Sequence, residues 1–261
     1  ATESQRAVDN ILARCAADTA CSGSFPDIEA TFARVVAGLR ESPVQVLVPH
    51  PNTGRIEEVA FGSGQLAGAV RLLAYTPGTI ALLPLMIHEA GKGNFVPLTS
   101  QFMLTAVAMS DSLALGMHNS IMCTEDIPFL DRASIDHEAI EASYMGSFQM
   151  ETLEAICASW PAGPIDPDFK VPLATDIPFL LLSGDADPIT PPRYAEMAAV
   201  DLTNATHLVG RHQGHGQLVV GCMDRLVADF VDSADPALID ATCMERNFVM
   251  PFFVGFSGPS P

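Results

Sequence analysis

The sequence predicts an α/β chain: a mainly helical region carrying one β-hairpin, followed by the carboxyl-terminal part of a doubly wound parallel sheet. Residues 28–39 space Ile28, Phe32, Val35, Val36 and Leu39 as one helical stripe behind the start signal Pro26-Asp27. Two apolar runs, 44–48 and 56–61, flank His50-Pro51-Asn52-Thr53-Gly54, the pattern of two strands and a tight turn. From residue 178 onward the text reads strand, helix, strand, helix at the spacing of a parallel, doubly wound sheet.

In chain order, further helices are expected over about 65–74, 80–90 and 98–109. Residues 117–125, MHNSIMCTE, look strand-like and end in the acids Glu125 and Asp126. Helical text follows over 135–157 and is closed by Trp160-Pro161 and a loop rich in Pro and Asp. A fully buried strand is expected at 179–182, a helix at 193–202, a short strand at 207–209 and a helix at 217–231. The expected boundaries are a helical region 1–113 with the hairpin, the sheet part 114–247 and an apolar tail 248–261. That tail, ending PFFVGFSGPSP, reads as a swapped strand covering a sheet edge or as sequence foreign to the domain.

Composition narrows the function classes. The 261 residues are 48% hydrophobic, ample for a packed core. Thirteen Lys plus Arg against 31 Asp plus Glu give a net charge of −18, a field that repels phosphate backbones and anionic lipid. No nucleic acid and no membrane partner is expected, since the longest apolar runs fall short of the roughly 20 residues a bilayer span needs. The chain begins at Ala1 without Met and shows no basic-then-apolar leader, which suits a processed, trimmed or partial product. Six cysteines fall in three neighbourhoods: Cys15 and Cys21, Cys123 and Cys157, Cys222 and Cys243. None has zinc-ribbon or redox-motif spacing. Three disulfides paired in that local order, hence an exported protein, are the favoured reading; six reduced core thiols in a cytosolic enzyme are the alternative.

The chemistry concentrates in PFLLLSGDADPITPP, residues 178–192. A strand there ends in Gly184 and delivers Asp185 and Asp187 to its carboxyl end, where open α/β sheets gather functional groups. After the next strand comes RHQGHGQL, with His215 between Gly214 and Gly216. The order strand, Asp, helix, strand, Gly-His-Gly is that of the last two members of a Ser…Asp…His triad. There the carboxylate fixes the tautomer of His and stabilises its protonated form. Asp187 is the better acid and Asp185 the reserve. Each half alone has a bland explanation, since Asp before Pro forms turns and a His between glycines suits an exposed loop. A metal site sketched from His212, His215, Asp185 and Asp187 has the wrong spacing for zinc, so neither metal nor cofactor is expected. His50, His88, His118, His137 and His207 show no partner pattern.

At these residues the chain resembles secreted α/β-hydrolases of the tripeptidyl-aminopeptidase and proline-iminopeptidase-like group. The segments that carry the resemblance are LLLSGDADPITPPRYAEMA, GRHQGHG, and Cys222 with Cys243; it extends upstream through ALGMHNSIMCTEDIP, LLPLMIHEAGKGNF and CAADTACSGSFPD. It implies a carboxyl-terminal hydrolase core with residues 1–113 as the helical lid. It also implies a small peptide or ester substrate, Asp187 and His215 as acid and base, and Glu125 as a ligand for a substrate amino group.

The chain departs from that pattern at the nucleophile. No G-x-S-x-G elbow is present; Ser257 comes nearest, with Gly255 two residues before it but Pro259 two after. An elbow needs a following helix, and the chain ends too soon for one. Ser147 and Ser63 lack a preceding buried strand. A hydrolase sheet without its early strands leaves an unpaired edge, so a missing amino-terminal segment or self-association is expected to cover it. Three functional readings follow. The first is a serine hydrolase, peptidase or esterase, whose Asp and His lie on this chain. The second is a non-catalytic hydrolase body that binds a ligand or partner. The third is a rebuilt site in which Asp187 and His215 activate water directly.

Overall fold

The computed structural model describes residues 1–246 and 249–259, with Asp111 described by its backbone alone. The first part of the chain is a helical assembly. Helices α1 (Thr2–Ala17) and α2 (Thr19–Ser24) are joined at Asp18, whose carboxylate caps α2 by accepting the Cys21 N–H at 2.8 Å. The Cys15–Cys21 disulfide closes the same corner. α1 buries Ala7, Val8, Ile11, Leu12 and Cys15, a stripe repeating every three to four residues, the period that keeps side chains on one helix face. α3 (Ile28–Glu41) buries the expected stripe from Ile28 to Leu39.

Strands β1 (Val44–Pro49) and β2 (Ile56–Phe61) pair antiparallel as the hairpin expected from the turn sequence, with Gly54 at φ 68°. Alternation sends Val46 and Val48 into the core and leaves Leu47 in solvent. Helices α4 (Ser63–Leu73), α5 (Pro77–Gly91) and α6 (Val96–Ser112) complete this layer. Phe102 of α6 packs edge-on against Phe61, 6.2 Å between ring centroids. One large core spans these elements and takes in Tyr144, Met145 and Phe252 from later in the chain.

Residues 117–125 depart from the strand expectation. They lie in α7 (Leu115–Ile121) and a π-helical turn, Met122–Asp126. No strand among the described residues pairs with them, and the Cys123–Cys157 disulfide ties the turn to the helix α9 (Phe148–Cys157) instead. The helical text expected over 135–157 is split into α8 (His137–Ala142) and α9, because Gly146 takes φ 56° between them.

The carboxyl-terminal part holds one parallel pair, β3 (Phe179–Gly184) and β4 (Ala205–Gly210), linked through α10 (Pro192–Ala198) and followed by α11 (Met223–Ser233). Its core is small: Leu208, Met223 and Leu226 packed against Leu180, Leu182 and the Cys222–Cys243 disulfide. β3 is half-buried over 179–182 rather than fully buried, because β4 is its one partner strand among the described residues. Around this pair Ile177, Met197, Val200 and Val231 stay exposed. α11 begins at Met223, not near 217; residues 211–222 form an irregular loop instead.

The tail expected at 248–261 starts and ends on residues outside the described set, Phe248, Ser260 and Pro261. Between them, β5 (Phe253–Gly255) and β6 (Gly258–Pro259) pair with each other, not with the edge of the parallel pair. Phe252 is buried in the helical core, with the Arg14 guanidinium 4.4 Å from its ring centroid.

Closing residues 123–157 into a disulfide loop, a sequence separation of 34, restricts the unfolded chain. In the chain-entropy view this is worth about 3–4 kcal/mol. Replacing both cysteines by Ser is therefore expected to lower unfolding stability by that order, read from the urea midpoint at constant m-value.

Candidate active site

β3 and β4 lie in register with Gly184 opposite Gly210, so the loops that follow them leave the sheet side by side. The first loop carries Asp187 and the second His215. Their side chains meet: His215 Nδ1 lies 2.9 Å from Asp187 Oδ2. Asp185, the reserve acid, is used differently. Its Oδ1 accepts the backbone N–H of His212 at 2.6 Å, which fixes the turn where His212 takes a left-handed φ of 57°.

Asp187 is 3% exposed, and a buried carboxylate must be hydrogen-bonded to remain ionised. Its Oδ1 accepts the N–H groups of Ile189 and Thr190 at 2.7 and 2.9 Å, and its Oδ2 accepts the Thr190 hydroxyl at 3.0 Å as well as His215. Burial pushes the carboxyl pKa up, but the Thr190 and Ile189 N–H groups and His215 outweigh it and hold the pKa below the ordinary aspartate value. An ionised carboxylate only accepts, so the proton between the two side chains sits on His215 Nδ1. In the neutral form of the ring that tautomer leaves the lone pair on Nε2. No protein group among the described residues hydrogen-bonds Nε2.

The loop bearing Asp187 is also held from α1. Ser4 Oγ donates to the Pro188 carbonyl at 3.0 Å, and Arg6 donates to the carbonyls of Asp185 and Asp187 at 3.3 and 3.0 Å. Glu3 pairs with both Arg6 and Arg193. On the other side, Tyr75, just past α4, packs its ring on the imidazole at 5.1 Å between centroids. The two glycines flanking His215 answer separate demands. A Cβ on Gly214 would lie 2.4 Å from the Tyr75 carbonyl oxygen, and Gly216 has φ 87°.

His215 lines a cleft of ≈ 510 Å³ with Tyr75, Pro77, Val219, Val220 and Arg246. Ser257 sits in the turn between β5 and β6, with no helix after it among the described residues. Ser147 precedes α9 and Ser63 begins α4. None of the three is hydrogen-bonded to His215. Glu125 lies half-buried in the π-helical turn and is not among the residues lining this cleft. No three His, Cys, Asp or Glu side chains converge as a metal site among the described residues.

Sequence reasoning missed Thr190, Ser4, Arg6 and Tyr75. Thr190 alone had a local signal: Asp-x-x-Thr, three residues apart, is the spacing of an Asp that accepts from the chain ahead of it. The other three reach the site across long stretches of chain, which no local pattern encodes.

Because the folded pKa of Asp187 is depressed, its stabilising contribution is complete above the unfolded value of about 3.9 and is lost as pH falls through the lower folded value. Asp187→Asn is expected to lower stability at pH 7 by about 1–3 kcal/mol, the cost of weakening a buried hydrogen-bond set. It is also expected to flatten the acid limb below about pH 4, where the parent and the variant converge. Unfolding curves from pH 2 to pH 7 check both.

Two comparisons with known proteins bear on this site. Residues 142–243, which carry β3, β4, Asp187 and His215, match the α/β-hydrolase family model described as TAP-like protein. A search of curated proteins finds no match to the chain.

Proposed function

We propose that this chain supplies the acid and base of a serine hydrolase acting on a small peptide with a free amino terminus, or on an ester. One observation carries the reading: His215 Nδ1 bonded to the buried, ionised Asp187, beside a cleft and inside the segment that matches the hydrolase family model. His215 Nε2 takes the proton of an attacking serine hydroxyl as it adds to the substrate carbonyl, and the imidazolium that forms is stabilised by Asp187. The imidazolium then protonates the leaving group, leaving an acyl-enzyme that water hydrolyses by the same relay in reverse.

The nucleophile is assigned to a segment beyond these residues, which would also cover the open edge of β3. Ser257 does not fit the role, because its hairpin turn offers neither a following helix nor a bond to His215. Glu125 remains the proposed contact for a substrate amino group, although it does not line the cleft beside His215. Three local disulfides suit an extracellular setting, and no described helix is long and apolar enough to cross a membrane. A second reading, a hydrolase body that binds without turnover, is favoured by the absence of any hydroxyl on Nε2 among the described residues.

A fluorophosphonate probe separates the readings. The chain alone is expected to remain unlabelled. The same chain fused to the coding sequence upstream of Ala1 is expected to be labelled on one serine and to hydrolyse aminoacyl or acetyl esters. His215→Ala in that fusion should reduce kcat by about 10⁴-fold or more. Unchanged turnover in that variant would sink the assignment, and a fusion with neither label nor turnover would favour the binding reading.

A further inference from the structure

Residues 211–222, which carry His215, have no regular structure, so the position of the imidazole depends on what grips this loop. Two grips are visible in the backbone. Ala186 donates its N–H to the Gln213 carbonyl at 3.0 Å, and Gly214 lies directly against the Ala74 and Tyr75 carbonyls. Beside the Asp185 carboxylate, which holds the His212 N–H, a second side chain grips the loop. Gln217 is 6% exposed, and its Nε2 donates to the Gly214 carbonyl at 2.7 Å.

The carboxamide of Gln217 occupies a slot that two glycines create. A Cβ on Gly210 would lie 2.6 Å from Gln217 Oε1, and a Cβ on Gly184 would lie 2.7 Å from Gln217 Nε2 and closer still, 2.3 Å, to the Gln213 and Gly214 carbonyl oxygens. Those glycines are register partners at the ends of β3 and β4, the points from which both active loops depart. We infer that Gln217, keyed between Gly184 and Gly210, is the positioning residue that holds the Gly214 carbonyl and thereby keeps His215 in reach of Asp187.

The competing explanation is that Gln217 only fills space. Its Oε1 is buried and has no hydrogen-bond partner among the described residues, a cost that Leu or Met in the same volume would not incur. What the carboxamide adds over an apolar filler is the donor to Gly214. Gly210 fits the same account, since a side chain there meets the amide first, whereas Gly184 is required before that by the loop carbonyls of Gln213 and Gly214.

The inference takes its catalytic meaning from the hydrolase reading, but its test needs no turnover. Gln217→Met keeps the volume of the side chain and removes the donor. In the full chain, hydrogen exchange of the His215 Nδ1–H and of the Ala186 amide, which donates to the Gln213 carbonyl, is expected to become about tenfold faster. The Leu182 and Val209 amides within the β3–β4 pair are expected to keep their parent rates. Gly210→Ala, which displaces the amide from the other side, should give the same pattern. Parent-like exchange at Nδ1 in Gln217→Met overturns the inference while leaving the hydrolase reading intact. Acceleration that strikes Leu182 and Val209 equally also overturns it, because Gln217 is then a packing residue of the small core. Failure of the hydrolase reading shows elsewhere, as undiminished turnover in His215→Ala.

Discussion

A carboxylate placed out of solvent at the end of a strand governs this molecule. Asp187 remains charged because two backbone N–H groups, one hydroxyl and one imidazole N–H satisfy it together. Each donor imposes a structural requirement. The chain from Pro188 to Thr190 must fold back over the carboxylate, β4 must lie in register with β3, and the next loop must bring His215 from 28 residues away. Meeting the last requirement places glycines where the loop backbone meets other backbone, at 184 and 214, and where the Gln213 and Gln217 side chains press on the end of β4, at 210. The electrostatic demand of one side chain thus propagates into strand register, loop conformation and the choice of residue at three positions.

The helical part serves the same end from outside the sheet. α1 reaches the Asp187 loop through Ser4 and Arg6, and the end of α4 meets His215 through Tyr75 and the carbonyls under Gly214. The large core lies in this part, whereas the small core beside the β3–β4 pair is built on three buried hydrophobic residues among those described, Leu208 of β4 with Met223 and Leu226 of α11. The Asp187–His215 pair therefore sits on the thinly packed side of the molecule, supported by contacts from the well-packed side. That division accounts for the disulfide at Cys222–Cys243, which closes the small core where apolar area is scarce.

What the sequence made legible was local in character. Cys15 with Cys21 and Cys222 with Cys243 lie close in sequence, and all three pairs form as neighbourhood suggested. The hairpin was legible because residues 44–48 and 56–61 straddle a Gly-containing turn, and the strand before Asp185-Ala186-Asp187 because an apolar run stops abruptly at Gly184. Residues 117–125 misled because Met117, Ile121 and Cys123 alternate loosely enough to suit a strand, while the disulfide to α9 holds them in a helical path. Burial of β3 was overestimated because an apolar run reports what a strand prefers, not how many neighbours it has. Ser4, Arg6, Tyr75 and Gln217 went unread because their significance lies in a partner far along the chain or in a slot that only the folded glycines define.

The central claim is that the Asp187 carboxylate, and not its neighbour Asp185, holds the Nδ1 proton of His215. A proton spectrum of the chain labelled with ¹⁵N at histidine tests it most directly. The account predicts a low-field resonance bonded to His215 Nδ1 that survives Asp185→Asn and disappears or moves strongly upfield in Asp187→Asn. A resonance that persists unchanged in Asp187→Asn, or one that depends on Asp185 instead, would contradict it.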